Sequence, residues 1–184
     1  MTAPVTTTID MLYDAILTTL RGTYAELFVT YAPYDPMTLL DATVQLAVPA
    51  LYLEIEDQVT DDETARRALR QRTAIRLSIS LWVILSIETV DIQVALSVLA
   101  SSLLVLLRQP DPDPRLGGHP GARWGLGAAV HPATRVTVLM TNWQPGLNGY
   151  GARQIRWEQD IYLPTDPLEC LGEDGPWRPL GGES

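Results

Sequence analysis

Glu158 and Asp160 are two carboxylates separated by one residue in the segment RQIRWEQDIYL (153–163). Alternate residues of a strand share a face, so the two side chains would point the same way, as a paired acid–base site requires. Arg153 and Arg156 lie in the same segment. Neighbouring charges of both signs are more typical of ion pairing on a surface or at an interface, and we favour that interpretation.

The other reactive residue types lie in stretches that offer them no structured setting. Cys170 is the single cysteine, so neither an internal disulfide nor a cysteine zinc cluster is expected. His119 and His131 each precede a proline, and we predict both to be surface loop residues. The acidic run 61–63 lacks the glycine and the alternating spacing of a calcium loop, and no GK[ST] follows the glycines of 125–127. We therefore predict no catalytic residue, no metal ligand and no cofactor, and a protein that is not an enzyme.

The charge balance argues against one functional class, and the aromatic content leaves two readings open. The chain has 184 residues, with 22 acidic and 13 basic residues and a formal net charge of −9 at pH 7. Affinity for nucleic acid comes largely from cationic contacts, so independent nucleic-acid binding is not expected, whereas passage of DNA without binding is compatible with this charge. Five Trp and seven Tyr beside a single Phe suit cores and interfaces equally.

The element that must organise the fold is a period-2 stretch from Arg70 to Leu85, RQRTAIRLSISLWVIL. From Thr73 onward its odd positions are almost all Ile, Leu or Val, while its even positions are mostly polar or charged. This alternation predicts a strand with one apolar face. Sixteen residues at ~3.3 Å each would span roughly 50 Å, so the strand should bend or project beyond its own domain.

Two helices are predicted from apolar residues that recur at three- and four-residue steps. The first covers Ile9–Phe28, with Thr8 as its N-cap after a loose lead. The second covers Thr89–Leu107 and is apolar on more than one side. Such a helix is buried on most sides, so we expect it to lie across the sheet and to contact the first helix or another subunit.

The remaining patterns complete an α+β fold with a mainly antiparallel sheet of about four strands and two helices packed on one face. We assign residues 1–163 to a single domain and 164–184 to a C-terminal tail or docking arm. The stretch 31–36 is predicted to be a loop because of its two prolines. The strands other than the central one are predicted at Thr43–Gln58, Thr134–Asn142 and Arg153–Leu163, the last two joined as a hairpin.

Contacts with a neighbouring subunit or partner are predicted at the charged beginning of the central strand and at tryptophans in loops. Trp124, in the Pro/Gly-rich stretch Gln109–Gly127, either contacts a partner or folds back as a core plug. No signal peptide is recognised, and the apolar run Val94–Leu107 is shorter than the ~20 residues of a membrane span, so no membrane partner is expected. The candidate interface residues are Arg66, Arg67, Arg70, Arg72, Arg76, Trp124, Trp143 and Trp177.

Several segments, taken in order, resemble the tail terminator proteins of tailed bacteriophages, in particular the Mu-like branch. The resemblance departs in the Pro/Gly-rich stretch 109–121 and in everything after Pro164. The matching segments are IDMLYDAILTTL (9–20), LAVPALYLEIED (46–57), TAIRLSISLWVIL (73–85), RWGLGAAV (123–130) and IRWEQDIYL (155–163).

This resemblance implies a ring-forming structural subunit of the virion, assembled in the host cytoplasm. A homohexameric ring would cap the head-proximal end of the tail tube, stop tube polymerisation and offer a surface to the neck or connector. Its partners would be copies of itself, the tail tube protein and the neck protein, with genomic DNA only as cargo through the lumen. Another phage neck protein, such as a head-completion or connector protein, is the alternative, followed by a small ligand-binding domain or enzyme.

Overall fold

The computed structural model describes residues 6–36, 45–59, 73–109, 121–140, 149–164 and 166. These residues form a five-stranded sheet in the order β1-β2-β3-β5-β4, with two α-helices and one short 3-10 helix. The predicted α+β class is therefore confirmed. The elements in chain order are α1 (Ile9–Tyr24), β1 (Thr30–Pro33), β2 (Ala50–Val59), β3 (Thr73–Ser86), α2 (Ile92–Arg108), the 3-10 helix (Gly127–Ala129), β4 (Thr134–Met140) and β5 (Tyr150–Leu163).

The central strand β3 carries the predicted apolar face. Its odd positions from Ile75 to Leu85 are all buried in the main hydrophobic core. Both neighbours of β3 are antiparallel to it, as expected for a chain that returns through loops. The pairing with β5 runs from Thr73 opposite Leu163 to Ser86 opposite Tyr150. The 14-residue strand β3 is thus paired along its length with β5, a second strand of 14 residues, and this pairing accommodates the long strand in the sheet.

Both helices bury their apolar stripes against this face of the sheet. From α1 come Leu12, Ile16 and Leu20, and from α2 come Leu96 and Leu103. These side chains share one core cluster with the odd positions of β3, so the prediction of two helices on one face is confirmed. The two helices also touch each other, because the Tyr24 and Ser102 hydroxyl oxygens lie 3.0 Å apart.

The beginning of α1 is fixed more firmly than the sequence indicates. Thr8 caps the helix as predicted, since its Oγ1 accepts a hydrogen bond of 3.2 Å from the Met11 amide. Thr7 and Thr8 are both buried, and the Thr7 amide donates to the Tyr162 carbonyl. The prediction of a loose lead is therefore wrong for these two residues. The helix ends at Tyr24 rather than Phe28, which lies beyond it in the core.

One strand was missed, because the stretch predicted as a loop contains β1. Thr30 lies opposite Ala50 and Pro33 opposite Leu53, so β1 is parallel to β2 at the edge of the sheet. Proline is tolerated there because an edge strand needs hydrogen bonds on one side only. The neighbouring strand β2 begins at Ala50 instead of Thr43, and residues 43 and 44 lie outside the described residues.

The second helix differs from its prediction on its outer side. It begins at Ile92, and Asp91 precedes it at φ +51° without a side-chain capping hydrogen bond. Leu96, Leu103 and their neighbours along the inner stripe are buried, but the outer valines are exposed. The expectation of burial on most sides is therefore wrong within this single chain, because the sheet and α1 cover only the inner stripe of the helix.

Candidate assembly surfaces

The face of the sheet opposite the helices carries a network of ion pairs. At its centre, Arg76 on β3 lies opposite Asp160 on β5 and binds it with two hydrogen bonds, Nε to Oδ1 at 2.7 Å and Nη2 to Oδ2 at 3.2 Å. Glu158 is 3.9 Å from the same Nε. A fork-to-fork arrangement of this kind is the strongest geometry for an arginine–carboxylate pair.

The network continues across β2 and β5 through Arg156. Its Nη2 lies 2.5 Å from Glu56 Oε2, and its Nε donates to Ser78 Oγ at 2.9 Å. Glu56 also accepts hydrogen bonds from the Ser80 hydroxyl and from Gln154 Nε2. The two oxygens of the Glu56 carboxylate thus contact Ser80 on β3 and Gln154 and Arg156 on β5.

Arg135 brings β4 into the same network. Its Nη1 donates to both oxygens of Glu158, at 2.9 and 3.1 Å. Glu158 and Asp160 are therefore each engaged by a guanidinium group, which confirms the ion-pair interpretation of this carboxylate pair. The arrangement is suited to holding a fixed pattern of paired charge on a half-exposed surface.

An aromatic group lies beside this network on the same face. The Tyr34 ring stacks on Trp82 with centroids 5.4 Å apart and planes inclined by 16°. Trp82 Nε1 donates to Glu54 Oε2 at 3.1 Å. Burial raises the pKa of Glu54, and this hydrogen bond partly opposes the rise. Burial likewise raises the pKa of Tyr34. Aromatic rings with polar tips next to a carboxylate are typical of surfaces that contact another protein.

His131 has the exposed loop position that was predicted for it. Its Nε2 lies 2.8 Å from the Tyr162 hydroxyl oxygen, and the two rings meet edge to face. Desolvation lowers the pKa of His131, with Asp160 acting in the opposite direction. The contact ties the loop before β4 to the end of β5, so a structural role accounts for this residue.

Trp124 lies in the core, which corrects its assignment as an interface residue. The side chain is only 8% exposed, and its ring centroid is 5.9 Å from that of Trp157. Its Nε1 donates to Gln159 Oε1 at 2.9 Å. The physical reason is that a buried indole needs an acceptor, and the buried Gln159 on β5 provides one. Of the two readings of this tryptophan, the core plug is the correct one.

Apart from Trp124, only one of the predicted interface residues, Arg76, lies within the described part of the chain. Arg76 lies on the sheet face as part of the ion-pair network. Its guanidinium is engaged by carboxylates of the same chain, so the charge that it places on this face is already paired. The remaining predictions lie outside the described residues, namely Arg66, Arg67, Arg70, Arg72, Trp143 and Trp177.

The sequence analysis did not single out the outer side of α2, where a ridge of valines is exposed. Val94, Val98 and Val105 are 63%, 62% and 62% exposed, and Val90 just before the helix is 84% exposed. No residue between Ile92 and Leu107 is charged. The sequence does show these valines at helical spacing beside the leucine stripe, but they were predicted to be buried rather than exposed.

Next to this valine ridge is an open groove of about 650 Å³. One charged residue reaches it, Arg153 on β5, whose side chain points toward α2 rather than toward the ion-pair network. The sequence analysis had grouped this arginine with Glu158 and Asp160. The groove is lined by Gln93, Val94, Ser97, Val98, Ser101 and Arg153.

The described ranges contain no group of three or more His, Cys, Asp or Glu side chains that could hold a metal ion. Neither of the two described helices combines the length and the apolar character needed to cross a membrane.

No protein-family model matches the chain, and a search of curated proteins found no match either.

Proposed function

We propose that this chain is a structural virion protein of a tailed bacteriophage, a tail terminator located at the junction of tail and neck. Six copies form a ring on the head-proximal end of the tail tube, end its polymerisation and present the surface that joins the neck or connector. Genomic DNA passes through the lumen as cargo. Support comes from the ordered segments that resemble this family and from an α+β fold in which they form α1, β2, β3 and β5.

The observation that carries the proposal is the exposed valine ridge on α2. Exposed apolar side chains on one side of a helix are typical of surfaces that are covered in an assembly. Covering these four half- to fully exposed valines would contribute on the order of 1 kcal/mol each. Association costs at least about 4 kcal/mol in lost freedom, so a single such contact is weak and further contacts are needed.

A closed ring supplies those further contacts. In a ring every subunit uses two different surfaces, one toward each neighbour, and closure adds a contact without adding a subunit. The second surface available here is the open face of the sheet, with its paired charges and its Tyr34–Trp82 stack. Paired charges fix the orientation of a partner more than they add affinity, which suits a ring that must close in one register.

The oligomeric state tests this proposal. Native mass spectrometry and electron microscopy of the purified protein, alone and with tail tubes, should show hexameric rings that occupy one end of each tube. A Val94→Asp/Val98→Asp double variant should keep its thermal stability and lose the rings. Val29→Asp is the matched control, because Val29 is 69% exposed and neither belongs to the valine ridge nor lines the groove beside it. A wild-type protein that remains monomeric in the presence of tubes would contradict the proposal.

Deletion in a phage distinguishes the terminator from another neck protein. Loss of a terminator should give abnormally long tails, because nothing stops tube growth. Loss of a head-completion or connector protein should give tails of normal length without heads. A rise in melting temperature with a small metabolite would instead point to a ligand-binding domain or enzyme.

A further inference from the structure

Arg153 is a buried cation with an incomplete set of partners. The residue is 8% exposed, less than any other arginine among the described residues. Its Nη2 donates to Gln93 Oε1 and to Ser97 Oγ, each at 3.3 Å, and its Nε has no hydrogen-bond partner. It lies on β5 among side chains that face the helices, such as Ile155 and Trp157.

A buried guanidinium normally has a carboxylate beside it, because an unpaired buried charge is costly. Even Arg76 and Arg156, which are more exposed than Arg153, have carboxylates at 2.7 and 2.5 Å. No carboxylate of the described residues forms an ion pair with Arg153. Its two neutral acceptors lie at 3.3 Å, which is long for a charged donor. The missing counter-charge can reach it through the groove that it lines.

We propose that this groove is a docking site for an extended segment of a partner polypeptide. An Asp or Glu side chain of that segment enters the groove and pairs with Arg153, while aliphatic side chains on either side pack on Val94 and Val98. Ser97 and Ser101 are small enough to let the partner backbone approach the helix. The proposal does not depend on ring formation or on a phage origin.

The dimensions and charges of the site favour a polypeptide over other occupants. The helical part of the valine ridge extends from Val94 to Val105, about 16 Å along the helix axis at ~1.5 Å per residue. This is the length of about five extended residues and far exceeds a small carboxylic acid. The same helix of a second copy is a poor occupant, because α2 carries no carboxylate between Ile92 and Leu107.

The test uses the full chain with ¹⁵N-labelled arginine and the blocked peptide Ac-Leu-Val-Glu-Val-Leu-NH₂. The Nε–H resonance of Arg153 should shift on addition of this peptide. The matched peptide with Gln in place of Glu should bind at least about tenfold more weakly, because it lacks the charge. Equal binding of the two peptides would overturn the proposal, as would the absence of any shift at millimolar concentration. Saturation by sodium isovalerate at the same concentration would overturn the assignment of a polypeptide.

Variants of the protein separate the site from its surroundings. Arg153→Gln should abolish the preference for the Glu peptide, and Arg108→Gln, which removes an exposed charge at the end of α2, should leave it unchanged. Val98→Asp serves where Arg153→Gln does not fold, because Val98 is exposed and a carboxylate there repels the peptide. Undiminished binding by either groove variant would refute the proposal. Because a ring contact would cover the same valines, peptide binding is measured on the monomer, and rings are scored separately.

Discussion

Replacing Gln159 with leucine should remove four hydrogen bonds from the core at once. Its Oε1 accepts from the indole nitrogens of Trp124 and Trp157, at 2.9 and 3.1 Å. Its Nε2 donates to the carbonyl oxygens of Ala122 and His131, at 2.9 and 2.8 Å. The amide thus uses two acceptor and two donor positions, its full capacity, while being only 1% exposed.

The expected loss of stability follows from the groups left behind. Two indole N–H groups and the His131 carbonyl would lose the Gln159 amide as partner, while the Ala122 carbonyl would keep its hydrogen bond from the Ala133 amide. Each of the four lost bonds contributes about 1 kcal/mol net. The larger apolar side chain returns on the order of 1 kcal/mol through its burial. The free energy of unfolding should therefore fall by about 3 kcal/mol. The loop 121–133, which two of these bonds fasten to β5, should become the first part to open.

Urea denaturation followed by tryptophan fluorescence measures this change, and hydrogen exchange at the Ala122 and Ala133 amides reports the loop. Gln109→Leu is the matched control, since Gln109 is exposed and its change should stay within about 0.5 kcal/mol. A loss below about 1 kcal/mol in Gln159→Leu would refute the reasoning, because it would mean that the orphaned groups find other partners.

Three further substitutions test other contacts. Arg76→Gln should lower the free energy of unfolding by about 1–2 kcal/mol in low salt, because it breaks the two-bond pair with Asp160, and less in high salt. Thr8→Ala should cost about 1 kcal/mol through loss of the α1 N-cap, measured by urea denaturation. Glu54→Gln should raise the melting temperature at neutral pH, because burial raises the pKa of Glu54 above its usual 4.5 and disfavours the carboxylate, while Trp82 can still donate to the amide oxygen. In the wild-type protein the folded state binds the Glu54 proton more tightly than the unfolded state, so stability falls as pH rises through that range. The gain from the substitution should therefore vanish as pH drops toward 4.5.

For each of these three substitutions, a different result would contradict the expected outcome. Arg135→Gln, at a 71% exposed side chain, should cost less than Arg76→Gln, and the reverse order would contradict the account of the ion-pair network. An unchanged stability in Thr8→Ala would mean that the cap bond is replaced by water. A Glu54→Gln variant whose advantage is the same at acidic and neutral pH would exclude the carboxyl group as its source.

What the sequence predicted well depends on local periodicity. Alternation along 73–85 identifies β3 and its buried face because the pleat repeats every two residues, whatever the partner strands are. The inner stripe of α2 follows from helical spacing in the same way. The strand β1 was not predicted because its four residues, which include Pro33, are too few to show an alternating pattern. Only its pairing with β2, which begins at Ala50, defines it as a strand.

The roles of single polar side chains could not be read from the sequence, because their partners are far away in the chain. Trp124 is buried on account of Gln159, 35 residues later, and nothing in the RWGLGAAV stretch indicates this acceptor. Arg153 looks like a member of the charged row that contains Arg156. Its position on the opposite face of β5 follows from strand parity, but its partner Gln93 lies 60 residues earlier.

The position of β5 in the sheet affects how the chain folds while it is being synthesised. It lies between β3 and β4, although among the described strands it is the last to be synthesised. Until Tyr150–Leu163 leaves the ribosome, β3 is an edge strand whose backbone hydrogen-bonding groups on the side away from β2 have no strand partner. A chain that stops before Tyr150 would therefore present the longest edge of the sheet to other chains. Truncated products should therefore aggregate more readily than the full chain.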